Sequence, residues 1–257
     1  KREQRSGKGA AVGLVYSLIA LGHAQADLGG FTHARISFDE AFALVGDVPH
    51  EVMASAKGLR AVVLLWQGHW AEAQDAATQA YRIGQQVRSL FTLSMGRAAA
   101  AYARWKSQGD AAAITELEEA TAWLIPRGNA LFSSLNHGWL ADALAQAGRR
   151  QAARHHAAQA LQRARQLALL GAPMACRAMA TLEALEGDAD ATQRWLRRAG
   201  RCAQARQSLH ELANNRWCEA QALARLGRQA AARAARDDAW AQFERLRMVW
   251  HAEPVAR

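Results

Sequence analysis

The chain of 257 residues is 51% hydrophobic but only 7% aromatic, and alanine supplies much of the apolar content, which favours closely packed helices. Its formal charge of +9 comes mainly from arginines spread along the chain among Asp and Glu, so we expect no direct nucleic-acid binding by this segment. The longest apolar run, near 10–21, is too short and too interrupted to cross a bilayer, so no membrane partner is predicted.

Helices are the only regular structure that the sequence predicts, because prolines are few and no stretch alternates Val, Ile and Thr as a strand does. The predicted organisation is a basic linker at 1–9, a repeat domain at 10–250 with units at about 10–48, 49–87, 88–127, 128–170, 171–206 and 207–250, and a loose tail at 251–257. Each unit contains two antiparallel helices, A and then B. The predicted pairs are 10–28 with 32–45, 51–67 with 71–86, 89–107 with 111–125, 131–146 with 151–169, 174–186 with 189–204, and 208–226 with 229–248.

A step of about forty residues organises the domain. A glycine follows each helix A, and a triplet of small or apolar residues follows in helix B, as in Gly148 with Ala153, Ala157 and Ala160. The equivalent triplets begin at Ala34, Ala73, Ala113, Ala153, Thr192 and Ala232, at intervals of 39, 40, 40, 39 and 40 residues. This regularity predicts a helical solenoid, in which small side chains let each helix B approach helix A of its own unit and of the next.

The same residues resemble the tetratricopeptide repeat. Unit one matches its pattern at Leu21-Gly22, Ala34, Phe38 and Ala41, with Pro49 beyond. The small residue of helix A recurs at Ala61, Ala101, Ala141, Ala180 and Ala220. The chain departs from the tetratricopeptide pattern in two ways. Its period is 39–40 residues rather than 34, and the final proline of the repeat is mostly missing. The resemblance implies a right-handed α-α superhelix of about six antiparallel helix pairs.

The longer period resembles the C-terminal sensor regions of large bacterial signal-transduction ATPases, among them the maltose-regulon activator and its LuxR-type relatives. The stretch from His137 to Arg149 is similar to theirs. The resemblance implies a cytoplasmic sensor or regulatory module that binds an inducer or a protein and controls an attached effector. Since the chain begins with Lys1, we expect it to be a piece of a longer polypeptide.

In the tetratricopeptide repeat, the A helices line a concave groove. Carried over to this chain, the groove positions mix aromatic rings with a few polar and charged groups, a combination that suits a binding surface. The predicted ligand or partner residues are Tyr16, His23, Trp66, Met95, Tyr102, Trp105, Asp142, Arg177, Asn214, Trp217 and Arg225.

Sequence signals of catalysis or of a bound metal are lacking. Ser6-Gly7-Lys8-Gly9 lacks the first glycine and the hydroxyl of a phosphate-binding loop, and no nucleophile stands beside a base at a supported spacing. His155 and His156 point about 100° apart on a helix, and the three cysteines have no Cys-x-x-Cys spacing. We therefore predict no enzyme activity, no cofactor and no metal site.

Two functions stay open at this level. The first is a sensor or protein-binding module of a larger bacterial signalling or transcription-regulating protein, with a protein, a peptide or a small-molecule inducer as partner. The alternative is a stand-alone scaffold or assembly adaptor that holds proteins together or forms a homo-oligomer. Light scattering separates them, because a stable oligomer without a ligand-dependent melting shift favours the scaffold.

Overall fold

The computed structural model describes residues 2–46, 50–124, 132–166 and 169–250, with side chains from Val12 onward except that of Leu124. Within these ranges the chain is all-α and has no strand. The helices are α1 Arg2–Asp27, α2 Phe31–Val45, α3 Glu51–Gln67, α4 Trp70–Val87, α5 Leu90–Gln108, α6 Ala111–Leu124, α7 Ser133–Gln146, α8 Arg150–Ala164, α9 Ala172–Leu185, α10 Ala189–Ala205, α11 Leu209–Arg225 and α12 Gln229–Leu246, with a 3₁₀ turn at Leu169–Gly171.

Most helix ends lie within two residues of the predicted ends. The largest difference is at α1, which begins at Arg2, so the residues predicted as a linker up to position 9 are helical. The second is at α8, which ends at Ala164, short of the predicted residue 169. There the 3₁₀ turn brings Gly171 against the backbone of Ser134, an approach that a continued helix does not provide. The predicted tail at 251–257 lies outside the described residues.

Glycines end the helices of the A set, as the sequence predicts. The backbone φ at the glycine after each helix A lies in the left-handed region, where a side chain is disfavoured. These φ values are +88° at Gly29, +91° at Gly68, +63° at Gly109, +73° at Gly148, +79° at Gly187 and +75° at Gly227. Each unit therefore turns from helix A into helix B through a residue type that the repeat fixes.

The packing follows the predicted plan of pairs. The A helices α1, α3, α5, α7, α9 and α11, called here the A row, contact one another in succession. Each helix B (α2, α4, α6, α8, α10) packs against helix A of its own pair and of the next pair. The small residues of the triplets are buried, with Ala73, Ala113 and Ala153 all at 0% exposure.

In unit six, one predicted position of the triplet is wrong. The step of forty residues places Arg236 in the triplet, but Arg236 is exposed, with its guanidinium 5.0 Å from the centre of the Trp240 ring. Ala235 is buried at the preceding position, so the buried stripe of α12 runs through Ala232, Ala235 and Ala239. The physical reason is that a spacing of three and four residues keeps Ala232, Ala235 and Ala239 on one face of α12, and this face packs against α11.

No helix within the described residues is both long enough and apolar enough to cross a membrane.

Candidate binding surface of the A row

The eleven predicted groove residues differ widely in exposure. Five are buried, namely Trp66, Met95, Tyr102, Arg177 and Asn214. Four are partly buried, namely His23, Trp105, Asp142 and Trp217, and two are exposed, namely Tyr16 and Arg225. They do not line one open surface, because most of them contact side chains of other units.

The first and last units meet through Asp27 of α1. Its carboxylate accepts a hydrogen bond from Arg206 Nε at 3.2 Å, is paired with a second nitrogen of the same guanidinium, and lies 3.2 Å from His210 Nε2. Burial disfavours the ionised carboxyl, but the hydrogen bond with His210 and the charge of Arg206 outweigh it and lower the pKa of Asp27 to about 2. Asp27 is therefore an anion that bridges α1 to the turn between α10 and α11.

A second contact joins the end of the chain to unit two. Val249 N donates to Gln67 O at 2.7 Å, and Trp250 Nε1 donates to Trp66 O at 2.8 Å. A Cβ at Gly68 would lie 2.8 Å from Trp250 Cδ1, so only glycine permits this approach. Together with Asp27, Arg206 and His210, these residues form what we call the closing contact. Through it the A row curves back until its ends touch.

Aromatic rings fill the space inside the closing contact. The Trp66 ring stacks on His210 with centroids 4.5 Å apart, and His23 lies 4.8 Å from Trp66 and 5.9 Å from Phe132. Desolvation by burial lowers the pKa of His23 to about 4, so this imidazole is neutral at pH 7. Two predicted groove residues, His23 and Trp66, thus meet, but they meet each other rather than solvent.

Tyr102 and Asp142, also predicted for the groove, form a pair between α5 and α7. The Tyr102 hydroxyl donates to Asp142 Oδ2 at 2.7 Å, and its ring stacks on Trp139 with centroids 5.4 Å apart. Burial raises the pKa of Tyr102 well above its usual value, with the charge of Asp142 adding to the effect. The hydroxyl stays protonated at neutral pH and acts as a fixed hydrogen-bond donor.

Arg177 enters a buried ion pair between α9 and α11. Its guanidinium is paired with Glu211 and donates to Asn215 Oδ1 at 2.9 Å. Burial disfavours the charged form of both partners. The attraction of Arg177 nevertheless holds the pKa of Glu211 below its usual value. The guanidinium of Arg177, which was predicted to face a ligand or partner in the groove, is thus paired with a carboxylate of the same chain.

Several buried polar atoms of the A row have no hydrogen-bond partner among the described residues. Apart from the side chains of Trp70 and Ser208, all such atoms lie in A helices. They are His23 Nε2, Ser94 Oγ, Trp105 Nε1, Asn136 Nδ2 and Oδ1, His137 Nε2, Trp139 Nε1, His210 Nδ1, Asn214 Oδ1 and Asn215 Nδ2. Each such atom costs about 1–3 kcal/mol when left unpaired, so a group that pairs with these atoms would stabilise the A row.

Sequence reasoning missed His210, Glu211 and Asn215 of α11. The groove pattern selected Asn214, Trp217 and Arg225 in this helix and did not include His210, Glu211 or Asn215. A usable signal was the density of polar residues in a predicted helix A, since His, Glu and two Asn occur within six positions. Such a density in a helix that neighbours cover on several sides indicates buried polar pairs.

The remaining chemistry of the described residues is limited. They contain no group of three or more His, Cys, Asp or Glu side chains that could hold a metal ion. No model of a known protein family matches the chain, and no curated protein matches its sequence.

Proposed function

We propose that the chain is a non-catalytic binding module, built as a superhelix similar to tetratricopeptide repeats, and that it forms the sensor or regulatory part of a larger bacterial signalling or transcription-regulating ATPase. Its partner is a protein, a peptide or a small-molecule inducer that contacts the A row. The repeated pairs support this proposal, since each helix A packs against helix A of the next pair and the six helices form one continuous row.

The observation that carries the proposal is the concentration of unpaired buried polar atoms in the A row. A scaffold selected only for stability has no use for them, because replacing them with apolar groups of the same shape removes their desolvation cost. A binding surface does have a use for them. Atoms such as Asn214 Oδ1 and Trp105 Nε1 supply an acceptor and a donor that a partner can satisfy when it enters between the A helices.

In this proposal the closing contact defines the closed one of the two states that regulation requires. In the closed state, the Trp66 ring stacks on His210, and Asp27 binds Arg206. A partner that binds the A row must separate these groups, so it favours an open state by the difference between its affinities for the two states. An attached effector domain would respond to that change in curvature.

The test replaces Asn214 with leucine, which has a similar shape and no polar atoms. Since Asn214 Oδ1 is unpaired and the residue is 5% exposed, we expect the free energy of unfolding in urea to stay the same or rise. Partners captured from source cells by the wild-type chain and identified by mass spectrometry should be lost from Asn214→Leu. They should be retained by the control Gln193→Ala, at an exposed position on α10.

Capture of the same partners by Asn214→Leu would contradict binding through the A row. A large loss of stability would show instead that Asn214 has a structural role.

Immunodetection of the native polypeptide in source cells tests whether an effector domain is attached, because a band far above 28.0 kDa requires additional domains.

A second function, a self-associating scaffold, is favoured by one surface. Leu14 and Leu21 on α1 and Leu28 in the turn directly after it recur at intervals of seven and are 51%, 49% and 48% exposed. Leucines at this spacing lie on one face of a helix and suit packing against another helix. Sedimentation equilibrium at several concentrations decides between the two functions, since the scaffold requires a stable oligomer and the sensor does not.

A further inference from the structure

A cleft with a volume of about 340 Å³ lies outside the A-row contacts described above. It opens between the C-terminal halves of α4 and α6 and the first turns of α5. This volume is at the lower end of the range of about 300–1,000 Å³ that is usual for small-molecule sites. Its lining residues are Tyr81, Gln85, Arg88, Leu90, Leu93, Ser94, Arg97, Ala120 and Trp123.

The walls of the cleft are aromatic and apolar. Tyr81 comes from α4, Trp123 from α6, and Leu90 and Leu93 from α5. Gly96 fixes the position of the Tyr81 wall, because a Cβ there would lie 2.9 Å from Ala77 O and 3.0 Å from Tyr81 N. The close contact between α4 and α5 therefore fixes the distance of the Tyr81 side chain from α5, which gives the cleft a defined shape.

Ser94 adds an unpaired hydroxyl to this apolar surface. It lines the cleft, it is 2% exposed, and its Oγ has no hydrogen-bond partner among the described residues. A buried serine usually bonds to the carbonyl four residues earlier or to a neighbouring side chain. The hydroxyl of Ser94 is therefore free to donate to a ligand atom within the cleft.

The two arginines of the cleft differ in their partners. Arg97 is neutralised by α6, since its guanidinium lies 3.6 Å from Glu116 Oε1 and is paired with Glu119. Arg88 is exposed, and no acidic group pairs with it in the part of the chain that the structure describes. The cleft thus offers one uncompensated positive charge at its rim.

We propose that this cleft binds a small organic monoanion that joins an aromatic ring to a carboxylate. The ring lies between Tyr81 and Trp123, where offset stacking and apolar burial stabilise it. The carboxylate accepts from Arg88 and from the Ser94 hydroxyl. A guanidinium binds a planar carboxylate through two parallel hydrogen bonds, which fits Arg88, the arginine of the cleft that no acidic group neutralises among the described residues.

A dianionic phosphate is disfavoured at the same place, because it requires more donors than one guanidinium and one hydroxyl. Arg97 cannot supply them, since Glu116 and Glu119 of α6 already pair with it. The ligand class is therefore an aromatic carboxylic acid rather than a phosphorylated compound. This site consists mainly of B helices and of the first turns of α5, and Ser94 Oγ is the one unpaired A-row atom named above that it uses.

Isothermal titration of the whole chain with phenylacetate, 4-phenylbutyrate and indole-3-acetate tests the proposal, with the neutral primary amide of each acid as its match. We expect at least one acid to saturate below about 10 mM and to bind about tenfold more tightly than its amide. Arg88→Gln should weaken binding of that acid about tenfold, because a charge-assisted hydrogen bond is lost. Ser94→Ala should weaken it to a smaller extent without lowering the melting temperature.

Arg82→Gln is the matched control, since Arg82 is exposed on α4 but does not line the cleft. Its affinity for each acid should equal that of the wild type. The proposal is overturned if none of the three acids saturates, if an amide binds as tightly as its acid, or if Arg88→Gln and Arg82→Gln bind equally. Melting curves of all variants confirm that they are folded.

Discussion

The two helices of unit four show how differently the A and B positions are used. In α7, a helix A, twelve of the fourteen residues are buried, whereas in α8, its helix B, only Ala153, Ala157 and Ala160 are buried among fifteen. A helix that is buried on nearly all sides needs residues that fit a different neighbour on each side. A helix with one buried stripe needs only small residues at a regular spacing. The repeated pattern is therefore clearest in the B helices. The A helices make the contacts that differ from one unit to the next.

The difference extends to polar groups. The A row holds the buried pairs Arg177–Glu211 and Tyr102–Asp142, both linking different units. The exposed side of the B helices carries arginines such as Arg194 and Arg233, which lie in solvent. Substitutions that change shape or charge should consequently cost far more in the A row than in the B helices.

The largest contrast is expected between two glycines. A Cβ at Gly171, where α9 begins, would overlap Ser134 O of α7 and lie 2.9 Å from Leu135 N, and backbone atoms cannot move aside. Gly171→Ala should cost more than about 4 kcal/mol of unfolding free energy or prevent folding. Gly200→Ala on α10 meets nothing within 4 Å and should stabilise the chain by about 0.5–1 kcal/mol, because alanine is the better helix former.

Urea unfolding of both variants, followed by circular dichroism, measures this contrast. Equal effects of the two substitutions would refute the distinction between the close A-row crossing and the open surface of α10.

A smaller contrast is expected between two ion pairs. Arg177→Met leaves Glu211 buried at 1% exposure without its cation, which should cost about 3–5 kcal/mol. Arg216 pairs with Glu219 and Asp238 at the surface, where its side chain is 37% exposed, so Arg216→Met should cost less than about 1 kcal/mol. Chemical denaturation of both variants at pH 7 gives the two values.

The double variant Arg177→Met with Glu211→Leu tests the reason for that cost. Because neither charge is then left alone in the interior, most of the lost stability should return. If the double variant is as unstable as Arg177→Met, the cost arises from lost packing and not from an unpaired charge.

The smallest of the three effects involves the contact between helix A and helix B of unit four. His137 Nδ1 of α7 lies 2.9 Å from His156 Nδ1 of α8. Desolvation, reinforced mainly by Arg163 at His137 and by His155 at His156, lowers the pKa of these groups to about 3 and about 4. The pair is neutral at pH 7, and one ring donates its proton to the other.

The sign of the pH dependence follows from these values. Since both folded pKa values lie below the unfolded value of about 6.5, the unfolded state binds more protons between pH 6.5 and 4. Stability is fully present well above pH 6.5 and should fall by about 1.4 kcal/mol as the pH drops to 4.5, because solvent around the partly exposed His156 ring reduces the effect of the two shifts. His137→Asn with His156→Gln should flatten this slope, whereas His33→Gln on the exposed face of α2 should not. An unchanged slope in the double variant would assign the dependence elsewhere.

Much of the fold could be predicted because it depends on local sequence. Helices A and B follow from apolar periodicity, and Gly148 ends α7 because only glycine enters the left-handed region without strain. The stripe Ala153, Ala157 and Ala160 follows from a spacing of four and three. The candidate surface was predictable only in part, because Trp66 and Tyr102 were placed correctly on A helices but their contacts depend on distant residues.

The sequence by itself determined that the chain is helical, where its helices pair and which face of helix B is buried in the first five units. These features depend on residues within one turn or one unit of each other. Only the tertiary structure decided that Asp27 meets Arg206 and that Trp250 meets Trp66, separations of 179 and 184 residues. A small change in the angle between successive pairs accumulates over six units, so no local pattern specifies whether the ends of the A row touch.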